Sequence, residues 1–378
     1  MQYLKYVWAV IAVVVLVGCE GEISSDQTGA VESDIGMRRL RYVDETRPAW
    51  SGETNGRPVN AWAWYPAQEP GPAASFDIPE KQPVFIGGSV VRDAEIKDGK
   101  HPLVVMSHGT GGSAFQMMWL GRRLAAAGYI AIAIDHHGNT AAEDKFDPRG
   151  FLYFWERPQD ITILLDRVLA DPVLKGSIDA ERIAAAGFSL GGYSVVASVG
   201  GRGDFGHFET FCASEMADAT CDPQTEYPNA LEELEALIAE DPAMAADRQG
   251  VKADYRDPRI SAVVAIAPAI AQMFTTDSLE AITVDMLVLV GDADDVAPAA
   301  TNAERIAAHV QRARLETFPG STHYTFLNEC TARGRRFVRV CRDGPSVNRA
   351  AVHDAAANAA IAHFSASMGP ADRVSQSN

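Results

Sequence analysis

Ile183-Ala184-Ala185-Ala186-Gly187-Phe188-Ser189-Leu190-Gly191-Gly192-Tyr193 is the stretch from which the rest of this sequence is read. The short apolar run Ile183 to Ala186 has the character of a buried strand, and Tyr193 to Val199 that of a helix, so the pattern G-x-S-x-G stands on a strand-to-helix turn. A turn that sharp forces its middle residue into a strained backbone, and only residues without a β-carbon fit beside it. Gly187 and Gly191 supply those positions. Ser189 is thereby lifted into the open at the start of a helix, with the N–H of Leu190 aimed at the place where a substrate carbonyl would become an oxyanion.

The neighbouring segments say what kind of sheet this strand belongs to. Leu103 to Met106 and Tyr129 to Ile134 are continuous apolar runs suited to strands covered on both faces. Helical patterns follow over Phe115 to Ala127 and Gln159 to Leu169. The series resumes with strands Ile260 to Ile266 and Val284 to Val290, a helix Ala300 to Val310, a strand Arg314 to Phe318 and a last helix near Ala350 to Phe364. Alternation of this kind predicts an α/β fold with a mostly parallel sheet and helices on both faces. Upstream, Met37 to Val43 and Val59 to Tyr65 alternate apolar and polar and are expected as an antiparallel edge. Pro66 to Lys100 reads as a long surface loop with a short strand at Val84 to Ile86.

Residues 200–258 break the alternation. They hold one amphipathic helix with Leu231, Leu234, Leu237 and Ile238 on one face. An insertion placed directly after the Ser189 helix is expected to cap the carboxyl ends of the strands as a lid.

A serine hydroxyl needs a base, and the base needs an orienting acid. In the order Ser, acid, His, the acid falls in Gly291-Asp292-Ala293-Asp294-Asp295, just after a strand; Asp294 has the best reach and Asp292 the next. The base is His323, in the loop after the last strand. The other histidines have plainer explanations: His309 and His363 lie in helix patterns, His353 starts one, His207 is in the insertion, and His136 and His137 follow a strand on the opposite half of the sheet. Ser107-His108-Gly109-Thr110-Gly111-Gly112 is expected to give the second oxyanion donor, the N–H of Thr110, with His108 organising the loop. Phe115, Met117, Trp119 and the run Phe151 to Trp155 suit an apolar pocket or, as such clusters more often do, the core.

The charge balance, 33 basic against 50 acidic residues and a formal −17, excludes a nucleic-acid partner, which would need a basic face. At the N-terminus, Lys5 and the apolar run Val7 to Val17 have the length of a signal-peptide core. Leu16-Val17-Gly18-Cys19 resembles a bacterial lipobox, which would make residues 1–18 a signal peptide and leave Cys19 lipidated, anchoring the chain to a membrane through residues 19–36. Glu20, rather than Asp, leans toward the outer membrane, facing the periplasm or the cell surface. Removing Cys19 from the five cysteines leaves Cys212 with Cys221 and Cys330 with Cys341, the natural pairs for two disulfides in an exported protein. Their spacing is not that of a zinc site, so no metal is expected. The folded domain is expected over 37–366, with a tail from 367 to 378.

Several of these features together resemble the α/β-hydrolase superfamily, in the dienelactone-hydrolase-like branch similar to platelet-activating-factor acetylhydrolases and some bacterial polyesterases. They are the S-H-G-x-G-G loop, Ile134-Asp135-His136 with Gly138-Asn139, Arg157-Pro158-Gln159-Asp160, the Ser189 turn, Gly291, Asp294 and Pro298 in G-x-x-D-x-x-x-P, and Pro-Gly-x-x-His at His323. The resemblance selects Asp294 and implies a cofactor-free hydrolase of small-molecule, lipid or polyester esters, working through an acyl-enzyme. True dienelactone hydrolases carry a cysteine at the nucleophile, and Ser189 departs from that, favouring ordinary carboxylic esters. A non-catalytic binding lipoprotein on the same scaffold, or an amidase or peptidase, is the competing reading.

Overall fold

The computed structural model describes residues 32–50, 52 and 56–371. The expected signal peptide 1–18, Cys19 and the expected tether as far as residue 31 lie outside the described residues, as does the expected tail from residue 372.

The strands are β1 (Glu32–Asp44), β2 (Arg57–Pro72), β3 (Ala74–Ser75), β4 (Ser89–Arg92), β5 (His101–Ser107), β6 (Ile130–Asp135), β7 (Ile178–Phe188), β8 (Ile260–Ile266), β9 (Asp285–Gly291) and β10 (Ala313–Phe318). They form one sheet in the order β10-β9-β8-β7-β5-β6-β2-β1-β4-β3. From β10 to β6 every neighbouring pair is parallel; β2 pairs antiparallel with both β6 and β1. The chain runs from β5 to β6, crosses back over β5 to β7 and then continues outward to β10. The order therefore reverses between β5 and β7, and a crevice for ligands opens at their carboxyl ends. Ser107 and Gly187, paired across β5 and β7, stand at that crevice.

Side chains alternate across the central strands and fill two cores. Leu103, Val105, Ile132, Val263 and Val288 face one layer, against Leu164 and Leu165 of helix Arg157–Ala170 and Val195 of helix Leu190–Ala197. Val104, Met106, Ala131, Ala184 and Leu287 face the other, against Leu120 and Leu124 of helix Met118–Ala126 and Phe364 of helix Arg349–Met368. Each fully buried Val, Leu or Ile side chain contributes about 1.5–3 kcal/mol. Strands loaded on both faces have no solvent side, and for that reason they read as unbroken apolar runs.

The outer half departs from expectation. The tether expected to reach residue 36 gives way to β1 at Glu32, because Ile35 and Met37 are buried and Gly36 lies beneath the Tyr65 ring, where a β-carbon would come 2.2 Å from Tyr65. Within Pro66 to Lys100, β2 continues to Pro72, and β4 pairs parallel with β1 while burying Val90. Around Val84 to Ile86 there are only isolated bridges, Ile78 to Phe85 and Phe85 to Cys330. At the other end the last helix runs to Met368, two residues beyond the expected boundary, and buries that side chain.

Residues 200–258 fold over the loops that follow β5 and β9. Glu226 lies on Gly111, whose added β-carbon would sit 3.0 Å from it, and Asp218 accepts hydrogen bonds from Thr301 and from Gln272 (3.4 Å). Helix Ala230–Glu240 buries Leu234, whereas Leu231, expected on the same face, is exposed. One disulfide, Cys212–Cys221, closes a turn within this insertion, and the other, Cys330–Cys341, a loop downstream of His323. Cross-linking a loop of that length lowers the entropy of the unfolded chain by about 3 kcal/mol equivalent. Replacing Cys330 and Cys341 with alanine is expected to lower unfolding stability by about 2–3 kcal/mol in a denaturant titration; an unchanged midpoint would show that the bridge does not constrain the unfolded chain.

Candidate active site

Ser189 has φ 56° and ψ −119°, a backbone conformation that residues other than glycine rarely adopt, costing about 1–3 kcal/mol. Neighbouring backbone holds it there. Its N–H donates to Ile266 O at 2.9 Å, and its carbonyl accepts from Gly192 (2.8 Å), Tyr193 (3.2 Å) and Ala269 (3.1 Å). A β-carbon at Gly187 would lie 2.0 Å from Gly191 O, and one at Gly191 would lie 2.0 Å from Ser107 O. Both glycines are thus required by contact, one inside the turn and one against β5.

From this turn the hydroxyl meets a chain of two further groups. His323 Nε2 lies 2.9 Å from Ser189 Oγ, and His323 Nδ1 lies 2.8 Å from Asp294 Oδ2. The pattern makes Nδ1 the donor to the carboxylate and leaves Nε2 to accept from the serine. Asp294 is fixed through its other oxygen, which accepts from the N–H groups of Val296 (3.0 Å) and Ala297 (2.8 Å). Asp292 instead accepts from Gly320 N–H at 2.6 Å, tying the His323 loop to the end of β9, and Asp295 is exposed. Of the three aspartates, Asp294 is the one brought to His323.

The loop after β5 passes beside Ser189: a β-carbon at Gly109 would be 3.1 Å from that of the serine. Its amides are committed in alternation. Gly109 N–H donates to Gln116 Oε1 (3.0 Å) and Gly111 N–H to Asn139 Oδ1 (2.6 Å). Between them, the N–H of Thr110 meets no acceptor among the described residues, and neither does that of Leu190. Two unclaimed donors on loops that touch is what a developing oxyanion requires.

A second hydrogen-bonded chain of the same residue types lies alongside. Ser107 Oγ is 2.9 Å from His136 Nε2, and His136 Nδ1 is 2.8 Å from Asp160 Oδ2. Asp160 also accepts from Arg47 at 2.6 Å. Here Ser107 is wholly buried, while Ser189 retains 7% exposure, and Ser107 lies within β5 rather than on a turn. Its role is mechanical: His136 N–H donates to His108 Nε2 at 3.2 Å, and the Arg157 guanidinium donates to His108 O, so the cluster clamps the backbone leading into Thr110. β6, which His136 follows, lies on the opposite side of β5 from β7, as the sequence predicts, and because it adjoins β5 it carries His136 to Ser107, a role the sequence does not reveal. Asp160, Arg157, Asn139 and Gln116 were likewise unassigned, although D-H-x-G-N and R-P-x-D are the stretches that hold three of them.

Glu226 and Phe146 lie against Gly111, and Tyr324 against His323 with ring centres 5.5 Å apart; Tyr227 packs against Phe146 and Phe151 at ring-centre distances of 6.0 and 5.1 Å. Phe151, Tyr153, Phe154, Trp155, Met117 and Trp119 are buried and belong to the core rather than to a pocket.

The sequence profile of the alpha/beta hydrolase family matches residues 104–340. Cutinase est2 of Thermobifida alba is 29% identical over 110 residues, covering 29% of this chain and 32% of that protein. Bis(hydroxyethyl) terephthalate hydrolase of Streptomyces coelicolor is 31% identical over 108 residues, covering 29% and 31%. The chain thus spans about a third of the length of the curated relatives it matches. A ferulic acid esterase structure from Streptomyces cinnamoneus shares the fold, with a TM-score of 0.60 at 20% identity over 91% of this chain and 93% of that one.

Burial sets a pH dependence on stability. It holds the imidazoles of His108, His136, His353 and His363 below their ordinary value, His136 at about 4 and His353 at about 3. The unfolded chain protonates these groups near pH 6.5, where the folded one does not, so unfolding takes up protons and stability falls as pH drops below that value. Asp135, pushed up to about 6 by burial, acts in the opposite sense below pH 6 but offsets only one proton. Thermal midpoints are expected to decline from pH 7 to pH 5; a level or rising midpoint would contradict this accounting.

Proposed function

Because this chain belongs to the alpha/beta hydrolase family, we propose that it is a serine esterase whose nucleophile, base and orienting acid are Ser189, His323 and Asp294. The observation that carries the reading is the unbroken hydrogen-bonded chain from the strained Ser189 through His323 to Asp294.

In the proposed reaction Ser189 Oγ attacks the ester carbonyl while His323 Nε2 takes its proton. Asp294 holds His323 in the tautomer that can accept, and it stabilises the imidazolium once formed. The carbonyl electrons move onto oxygen, where the N–H groups of Thr110 and Leu190 receive them; losing one such donor costs about 100- to 1000-fold in rate. Collapse expels the alcohol, protonated by His323, and leaves an acyl-enzyme. Water, deprotonated by the same nitrogen, then attacks the acyl carbonyl and releases the acid and free Ser189.

Carboxylic esters, including those of polyesters, are the substrate class we assign, in line with the names of the cutinase and terephthalate-ester hydrolase relatives. Residues 200–258 serve in this proposal as a lid over the opening. Export belongs to it as well: residues 1–18 as a leader, Cys19 as the lipid-bearing residue, and an envelope location that agrees with two disulfides.

With a soluble ester, Ser189→Ala and Asp294→Asn are each expected to lower kcat by about 1000-fold or more while leaving the unfolding midpoint in place. Matched substrates differing only in ester or anilide linkage should be cleaved with the ester far ahead. Retained turnover in Ser189→Ala, or faster anilide cleavage, would overturn the assignment.

A further inference from the structure

The loop closed by Cys330 and Cys341 runs counter to the charge of the chain that carries it. The whole sequence has a formal charge of −17, yet Arg333, Arg335, Arg336 and Arg339 fall inside this loop with no acidic residue among them, and Arg342 follows at once. All five arginines are exposed. Among the described residues none of them is ion-paired: Arg333 donates to Gln82 at 2.6 Å, Arg335 to the carbonyl of Cys330, and Arg342 to the carbonyl of Arg336 at 3.5 Å. The nearest carboxylates are engaged elsewhere, Asp343 by Arg349 at 2.9 Å and Glu329 by Arg123 at 3.9 Å.

At the centre of these charges is an apolar residue facing water. Phe337 is 59% exposed, with the guanidinium groups of Arg333 and Arg336 over its ring at 5.6 and 5.2 Å. Ile86, 41% exposed, belongs to the adjoining strip, since its N–H donates to Glu329 O at 2.7 Å and Phe85 bridges to Cys330. An aromatic wedge ringed by unpaired cations is the composition of an element that sits at a membrane interface, ring toward the acyl boundary and guanidinium groups among phosphates. A soluble polyanion would recruit the arginines but gain nothing from Phe337.

The loop is also tied to the active site. Thr325, two residues after His323, donates to Asp343 at 2.9 Å. Burial pushes the phenol of Tyr324 up to about 12, and Arg339 is near enough to act against that shift. The charged loop is thus packed against the segment that carries His323.

We propose that the Cys330–Cys341 loop is a docking surface for anionic lipid bilayers, with Phe337 inserting and Arg333, Arg336 and Arg339 pairing with headgroup phosphates, and that it turns the active-site opening toward the membrane. The net charge elsewhere repels such a surface and so favours approach through this loop.

The test is co-sedimentation of the full chain, carrying Cys19→Ala so that no acyl chain at that position contributes, with vesicles of phosphatidylcholine alone or mixed with phosphatidylglycerol. At about 50 mM salt the mixed vesicles should be bound about tenfold more tightly, and at about 300 mM that preference should largely vanish. Phe337→Ser and the double variant Arg336→Gln/Arg339→Gln should each lower binding about fivefold or more, with unfolding midpoints unchanged. No preference for phosphatidylglycerol at low salt would overturn the proposal, as would a preference that survives the double variant. So would binding that ignores Phe337→Ser and is matched by a soluble polyanion such as a DNA oligomer. Vesicle binding does not require esterase turnover, so its failure and that of the esterase assignment are separately visible.

Discussion

The rest of the molecule is arranged around the backbone of Ser189. A residue with a side chain is held at φ 56° because four hydrogen bonds and two glycine contacts leave it no other place. Those contacts come from β5, β8 and the segment after β8, so the strain is distributed over the middle of the sheet. The parallel core, buried on both faces, is what can absorb such a cost. In return the hydroxyl is presented at a helix start, beside the amides of Thr110 and Leu190, which meet no acceptor among the described residues. Relaxing the turn would withdraw the serine from His323 and the oxyanion donors together.

Two Ser–His–Asp chains of nearly equal geometry occur within one molecule, and the comparison shows what the geometry alone does not decide. Ser107, His136 and Asp160 match Ser189, His323 and Asp294 to within 0.1 Å at both hydrogen bonds. They differ in access and in surroundings. Ser107 is buried in a regular strand, and its histidine and aspartate are enclosed by Arg47 and Arg157. That set acts as a clamp: charge and hydrogen bonds fix the carbonyl of His108 and so aim the next loop. The burial that keeps His136 neutral also makes it useful as a rigid strut, since a charged imidazole there would repel Arg157.

Much of this was legible in the sequence, and the pattern of what was not is physical. Strands such as Leu103 to Met106 declare themselves because both faces are buried, and Gly187, Ser189 and Gly191 declare the turn because steric contact dictates glycine. Asp294 stood out from Asp292 and Asp295 by its reach past the strand and by its place relative to Gly291 and Pro298. Long-range pairing was not legible. Nothing local tells that Val91 will pair with Gly36 of β1, that Tyr65 will lie across Gly36, or that His136 will cross to Ser107. Helical periodicity alone puts Leu231 on a buried face, but the helix buries only Ala230 and Leu234 and leaves Leu231 exposed.

The claim at the centre of this account is that Ser189, on its strained turn, is the activated serine and that Ser107 is not. Peptide mass spectrometry after treating the folded protein with a fluorophosphonate tests it directly. The account predicts one adduct, on the peptide containing Ser189, and none on that containing Ser107. An unmodified Ser189 in protein shown to be folded, or an adduct on Ser107 in its place, would contradict it.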